Sequence, residues 1–123
     1  MRIMRGAPYV ASTSLMAATA SSGGGANAVV AISSQASTSV RAYLSEIVWS
    51  YSTDPTGTAT CTIYDGTSSG TAVWQVNIAA GGPDGWVFGP LGGMTPGNAI
   101  TVELTQAGSS IIGRLNAFAA PGL

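Results

Sequence analysis

From residue 27 onward the chain reads as short runs with a period of two, each closed by a turn signal. That pattern leaves few folds open, because alternation at every second residue belongs to half-buried strands. Residues 27–33 (NAVVAIS) form a small-residue run, and residues 40–51 (VRAYLSEIVWSY) form the longest one. The stretch Asp54-Pro55-Thr56-Gly57 follows, with Pro and Gly where a tight turn wants them. In residues 58–64 (TATCTIY), Ala59, Cys61 and Ile63 share one face while Thr58, Thr60, Thr62 and Tyr64 share the other. Asp65-Gly66 is a hairpin signal. Next, Ala72, Trp74, Val76 and Ile78 alternate with Val73, Gln75 and Asn77. GGPDG leads into Trp86-Val87-Phe88, and Thr95-Pro96-Gly97 precedes the alternating Ile100, Val102 and Leu104. A final run covers residues 110–119.

Such spacing predicts an all-β, antiparallel sandwich or barrel. No amphipathic helix of useful length is present, and residues 14–20, short and Ala-rich, are the one helix candidate. The expected core is Ala59, Cys61, Ile63, Trp74, Val76, Ile78, Ile100, Val102 and Leu104, the apolar members of the alternating runs. Two runs depart from apolar-in, polar-out. In the last one, Ile111, Gly113, Leu115 and Ala117 oppose Ile112, Arg114, Asn116 and Phe118. In residues 40–51, Leu44 and Val48 oppose Tyr43, Ile47, Trp49 and Tyr51. A strand apolar on both faces asks for cover from another element or another subunit. Tyr43, Ile47, Trp49, Tyr51, Ile112, Arg114 and Phe118 are therefore the candidate oligomer interface.

Residues 1–26 hold no sustained period and end in Ser21-Ser22-Gly23-Gly24-Gly25, a flexible joint. The chain divides into an extended N-terminal arm, 1–26, and a sandwich domain, 27–123. Two early Arg residues and Ala18-Thr19-Ala20 faintly imitate a secretory signal, but Gly6, Pro8, Ser12, Thr13 and Ser14 break up the apolar segment it needs. The arm is too apolar for an inert tail. Tyr9, Val10, Leu15 and Met16 are its expected docking anchors on a neighbouring subunit or a larger assembly, and the competing reading makes the segment a strand of the chain's own sandwich.

The side-chain inventory argues against catalysis. The chain has no His and no Lys, and only 7% of its residues are charged, against about 25% in an average domain. Neither a Ser-His-Asp triad nor a phosphate-binding lysine loop can be assembled. Glu46 and Glu103 are the only acids in strand runs that could make a carboxylate pair, and an ordinary exposed acid explains Glu103 better. Asp65 and Asp84, in Gly-rich loops, are the only calcium candidates, and both fit turn formation. Cys61 is alone and sits in an apolar alternation, which suits a small buried hydrophobe. No enzyme, no metal and no cofactor is expected. With a net charge of −1 there is no basic footprint for nucleic acid or membrane. Trp49, Trp74 and Trp86 lie in strand patterns where packing is the usual role. Trp86, beside a Gly/Pro-rich loop, and Tyr51 are the residues that a carbohydrate-binding sandwich would use for stacking.

The succession WSYSTDPTGTATCTIYDGT, TAVWQVNI, GGPDGW…GPLGG and TPGNAITVELTQAG, spanning residues 50–104, resembles small proteins from the structural gene clusters of tailed bacteriophages. That resemblance implies a jelly-roll-like sandwich and a non-enzymatic virion protein. The implied role is a capsid decoration, or cement, protein on the outer capsid surface. It would be a homotrimer that binds the major capsid protein across capsomers and stabilises the head. A tail, baseplate or head-fibre component is the alternative within the same family. No functional residue follows by position, since the likeness lies in turns and strands.

Overall fold

Among the described residues eight strands form, and they pair first with last, second with seventh, and so on inward. They are β1 (Met16–Ser22), β2 (Ala28–Ile32), β3 (Arg41–Tyr51), β4 (Ala59–Asp65), β5 (Thr71–Ile78), β6 (Asp84–Val87), β7 (Ile100–Leu104) and β8 (Gly113–Gly122). The computed structural model describes residues 16–22, 26–32, 41–88 and 94–122. β1 pairs with β8, β2 with β7, β3 with β6 and β4 with β5, all antiparallel. This is one antiparallel ribbon folded at the 66–70 connection and wound so that successive pairs fall in alternate sheets. β8 also pairs with β3, and β7 with β4, giving the sheets β1-β8-β3-β6 and β2-β7-β4-β5. That strand order is a jelly roll, an antiparallel sandwich of two sheets.

Apolar faces meet between the sheets. Leu44, Ile47, Trp49, Leu115 and Ala117 come from the first, and Val30, Cys61, Ile63, Ile100, Val102 and Leu104 from the second, all buried. Seven of the nine residues expected in the core are buried; Trp74 and Val76 pack against it half-buried, because β5 is the edge strand of its sheet. The Asp65-Gly66 signal does open a hairpin. Gly66 takes φ of 107°, a conformation that favours glycine, at the start of the β4–β5 connection.

The segment after β3 crosses from one sheet to the other. Thr56 anchors it, donating from its main-chain N and its Oγ1 to the carbonyl of Ala107 at 3.0 and 2.9 Å. Tyr51 also ties the sheets together, its hydroxyl donating to the Thr105 carbonyl at 2.6 Å.

Three expectations are corrected. Residues 16–20 are strand rather than helix. So short a helix is marginal alone, whereas pairing with β8 gives every residue of the strand a register partner. The sandwich therefore takes a strand, Met16–Ser22, from within the segment read as an arm, and reaches N-terminal of residue 27. Last, β3 is not apolar on both faces in the manner expected. A bulge between Leu44 and Glu46 inserts Ser45 as an extra residue, shifting the phase so that Leu44 joins Ile47, Trp49 and Tyr51 inside.

Candidate functional site

Among the described residues, two surfaces bring the most exposed apolar side chains together, and both follow from register. On the sheet containing β3, opposed residues share a face. Glu46 stands between Phe118 and Val87, Val48 between Asn116 and Gly85, and Ser50 opposite Arg114. Ile47, Leu115 and Ala117 fill the interior, so these partners make up the outer face. Val87 is 73% exposed, and Tyr43, Val48 and Phe118 are half-buried around it. Ile112, 46% exposed, and the exposed Arg114 extend the face along the chain. At the bulge, the Ser45 hydroxyl donates to the Phe118 carbonyl at 2.9 Å, and the Ser45 carbonyl accepts from the Phe88 N at 2.9 Å. The irregularity thus fixes β8, β3 and the end of β6 against one another.

Of the candidate interface residues, Tyr43, Ile112, Arg114 and Phe118 lie on or beside this outer face. Ile47, Trp49 and Tyr51 do not: they are 0%, 4% and 5% exposed in the chain's own core. The physical reason is the Ser45 bulge, which uncouples Tyr43 from the residues two, four and six places after Ser45. Val48 and Val87 take their places. No sequence signal marks the bulge, because Ser45 reads as an ordinary polar member of the run. Among the docking anchors, Met16 opens β1 with its Cα opposite Ala119. Tyr9, Val10 and Leu15 lie outside the described residues.

The second surface is a slot along the flank where β5 and β6, the edge strands of the two sheets, lie together. Asp84 stands opposite Trp49, and Trp86 opposite Ile47, so both belong to the inward side of β6. Trp86 is nonetheless 52% exposed, because β6 has no further strand beyond it. Across the slot, Val76 and Ile78 come from the inward side of β5, with Trp49 also lining it and residues 79–83 closing one end. The slot, open along one side, has a volume of about 390 Å³. Trp74 meets Trp86 at 5.8 Å between ring centroids and a 51° tilt, and meets Phe88 edge-on at 5.3 Å and 83°. The three rings close the flank above the core.

Close main-chain approach shapes the slot. A Cβ on Gly81 would run into the Thr53 carbonyl, and one on Gly85 would sit 2.6 Å from the Ile47 oxygen. Gly81 is also held by hydrogen bonds, its N donating to Asp54 Oδ1 at 2.7 Å and its carbonyl accepting from the Tyr51 N at 2.9 Å.

The remaining chemical candidates resolve into structural roles. Asp65 gathers the loop before β7: one carboxylate oxygen accepts from Asn98 Nδ2 at 3.0 Å and the other from Thr95 Oγ1 at 2.7 Å. No cluster of three His, Cys, Asp or Glu side chains occurs among the described residues. Glu46 and Glu103 stand in different sheets and do not form a facing pair. Glu103 accepts from Asn27 Nδ2 at 3.0 Å, joining β7 to the residue before β2. Burial pushes the Cys61 thiol up to about 12, so it stays protonated at neutral pH. Desolvation likewise pushes the Tyr51 hydroxyl up to about 12, although its bond to Thr105 pulls the other way. A buried Tyr51 has no face to offer a sugar.

No protein-family model matches the chain, and no curated protein matches it in sequence. Solved structures of similar architecture include a mitogen derived from Yersinia pseudotuberculosis, 9% identical over 85% of this chain and 84% of that one, at a TM-score of 0.45. A CBM4 domain is 13% identical over 86% and 82% of the two chains, at 0.43. The coat protein of tobacco streak virus is 10% identical over 89% and 88%, at 0.38. At these identities and TM-scores the likeness assigns neither a family nor a function.

Proposed function

We propose that this chain is a non-enzymatic virion structural protein, a capsid decoration protein that associates with itself and binds the major capsid protein across neighbouring capsomers on the outer head surface. The outer face of the β3 sheet carries the reading: Tyr43, Val48, Val87 and Phe118 form an apolar field with Glu46 among them and Arg114 beside it. Burying such a field is favourable by about 25 cal/mol per Å² of apolar surface. One charge of each sign gives the contact an orientation. A protein that binds only the assembled shell stabilises it by mass action. Tying copies together as a trimer multiplies a weak contact through avidity. The phage-like succession of turns and strands in residues 50–104 supports the same reading, and the low charge of the chain favours close association of copies.

The test has two parts. Light scattering over a dilution series should show a multimer that Val87→Asp dissociates while circular dichroism stays native. A monomer at micromolar concentration with native dichroism overturns self-association. Antibody–gold labelling of virions should mark the head. Label on the tail replaces the decoration role by a tail or baseplate one, and unlabelled virions overturn a virion role altogether.

A further inference from the structure

We propose that the slot between β5 and β6 binds a neutral saccharide, with Trp86 as the stacking platform and Asp84 as the acceptor for sugar hydroxyls. Trp86 is 52% exposed although it stands on the inward side of β6, so its indole lies open at the mouth of the slot and offers a face to a ligand. Trp74 touches the indole at a 51° tilt, so the two rings are not stacked face to face and Trp86 is not closed off by its neighbour. Asp84 lies two residues earlier on the same side of the strand, about 6.6 Å away along it. Its Oδ1 accepts from the Gly85 N at 2.8 Å, while Oδ2 has no hydrogen-bond partner among the described residues. An aromatic plate beside a carboxylate oxygen matches a sugar ring, which offers C–H groups on a face and hydroxyls around its edge.

The rest of the slot agrees with that chemistry. At about 390 Å³ it lies within the size range of small-ligand sites. Its opposite wall, Val76 and Ile78, is apolar, and its end is built from the small residues Ala79, Ala80 and Gly82. The main-chain groups of those three residues enter no hydrogen bond found among the described residues, which leaves donors and acceptors at the rim. Among the described residues Asp84 is the only charged one lining the slot, and a lone carboxylate favours neutral over phosphorylated, sulfated or acidic sugars. The inference does not depend on the decoration reading. Val87 faces outward while Trp86 faces the slot, so the two surfaces can be altered separately.

The experiment titrates the full chain, by intrinsic tryptophan fluorescence and calorimetry, with neutral sugars: glucose, galactose, mannose, N-acetylglucosamine and their linear tetramers. Choline and N-acetyl-lysine amide serve as cationic controls, since an indole and a carboxylate can also hold a cation. At least one sugar should bind saturably, and Trp86→Ala should weaken it by about tenfold or more with unchanged dichroism. Trp86→Phe should retain part of the affinity, and Asp84→Asn should lose part of it. If no sugar saturates the folded chain, if Trp86→Ala binds as well as the parent, or if only the cations bind, the proposal is overturned. Val87→Asp should bind sugar as the parent does, whatever it does to assembly.

Discussion

The centre and the flank of the second sheet are written in the same alternating pattern and end in different conditions. In β4 and β7, Cys61, Ile63, Ile100, Val102 and Leu104 are fully buried, and even the outward Thr62 and Thr101 are only 3% and 4% exposed. In β5, one strand away, Trp74 and Val76 are half-buried and Val73 is 42% exposed. Beside it, on the edge of the other sheet, Trp86 and Val87 reach 52% and 73%. Alternation therefore tells which way a side chain points. How deeply it is covered depends on the strand's place in the sheet, which β-pairing decides. The centre supplies stability, and the flank supplies surface on which something else can settle.

The sharpest way to break that contrast is to truncate one inward β-branched side chain on each of the two strands. Ile63→Ala should cost about 2–5 kcal/mol, measured by urea unfolding, because a fully enclosed site cannot collapse onto the hole. Val76→Ala, at a site already open to water, should cost less than about 1 kcal/mol. Equal losses would mean that the flank is as much core as the centre. A smaller effect is expected at Gly81, where main chain from the flank touches main chain after β3. Gly81→Ala should cost about 1–3 kcal/mol, since the obstacle is a peptide carbonyl that cannot rotate away. The same variant should perturb the Trp86 fluorescence; an unchanged spectrum would detach the slot from that contact.

The smallest effect is an alkaline slope. The Cys61 thiol rises from 9.0 to about 12 on folding, and the Tyr51 hydroxyl from 10.0 to about 12. A raised acid holds its proton in the folded state after the unfolded chain has released it. Its contribution is therefore complete below pH 9 for Cys61 and below pH 10 for Tyr51, and it declines as the pH rises toward 12. Thermal unfolding between pH 8 and 12 should follow that decline. Cys61→Ala should flatten its first part, and Tyr51→Phe its second. A Tm independent of pH in this range would place both groups nearer to water than the centre of the sandwich allows.

Much of this arrangement is legible in the sequence, and the failures are instructive. Facing is read well wherever the period is unbroken: Ile111, Leu115 and Ala117 point inward and Ile112 and Arg114 outward, as their alternation implies. It fails at β3, where the single extra residue Ser45 reverses the phase, and an interior bulge of a polar residue has no sequence signature. β1 is only the competing reading of the arm, because Met16–Ser22 has too little apolar contrast to show any period. Its strand state comes from β8, distant in sequence, rather than from its own residues. Trp86 is suspected from its neighbours Gly85 and Pro83, yet the slot needs Val76, Ile78 and Trp49 from two other strands, and nothing local announces that they meet.

The pairing of β8 between β1 and β3 has a consequence for how the chain is made. During synthesis β1, β3 and β6 emerge first, but they cannot close their sheet, because the strand that belongs between β1 and β3 is the last of the eight. Until residues 113–122 leave the ribosome, the edges of β1 and β3 that will receive β8 have no strand to pair with, and Leu44 and Ile47 lack Leu115 and Ala117 beside them. Folding is thus held back until β8 has been made and then depends on pairings between distant segments, which form slowly. An unfinished or truncated chain exposes open strand edges to other nascent copies, so the step most exposed to misassembly comes before the fold exists.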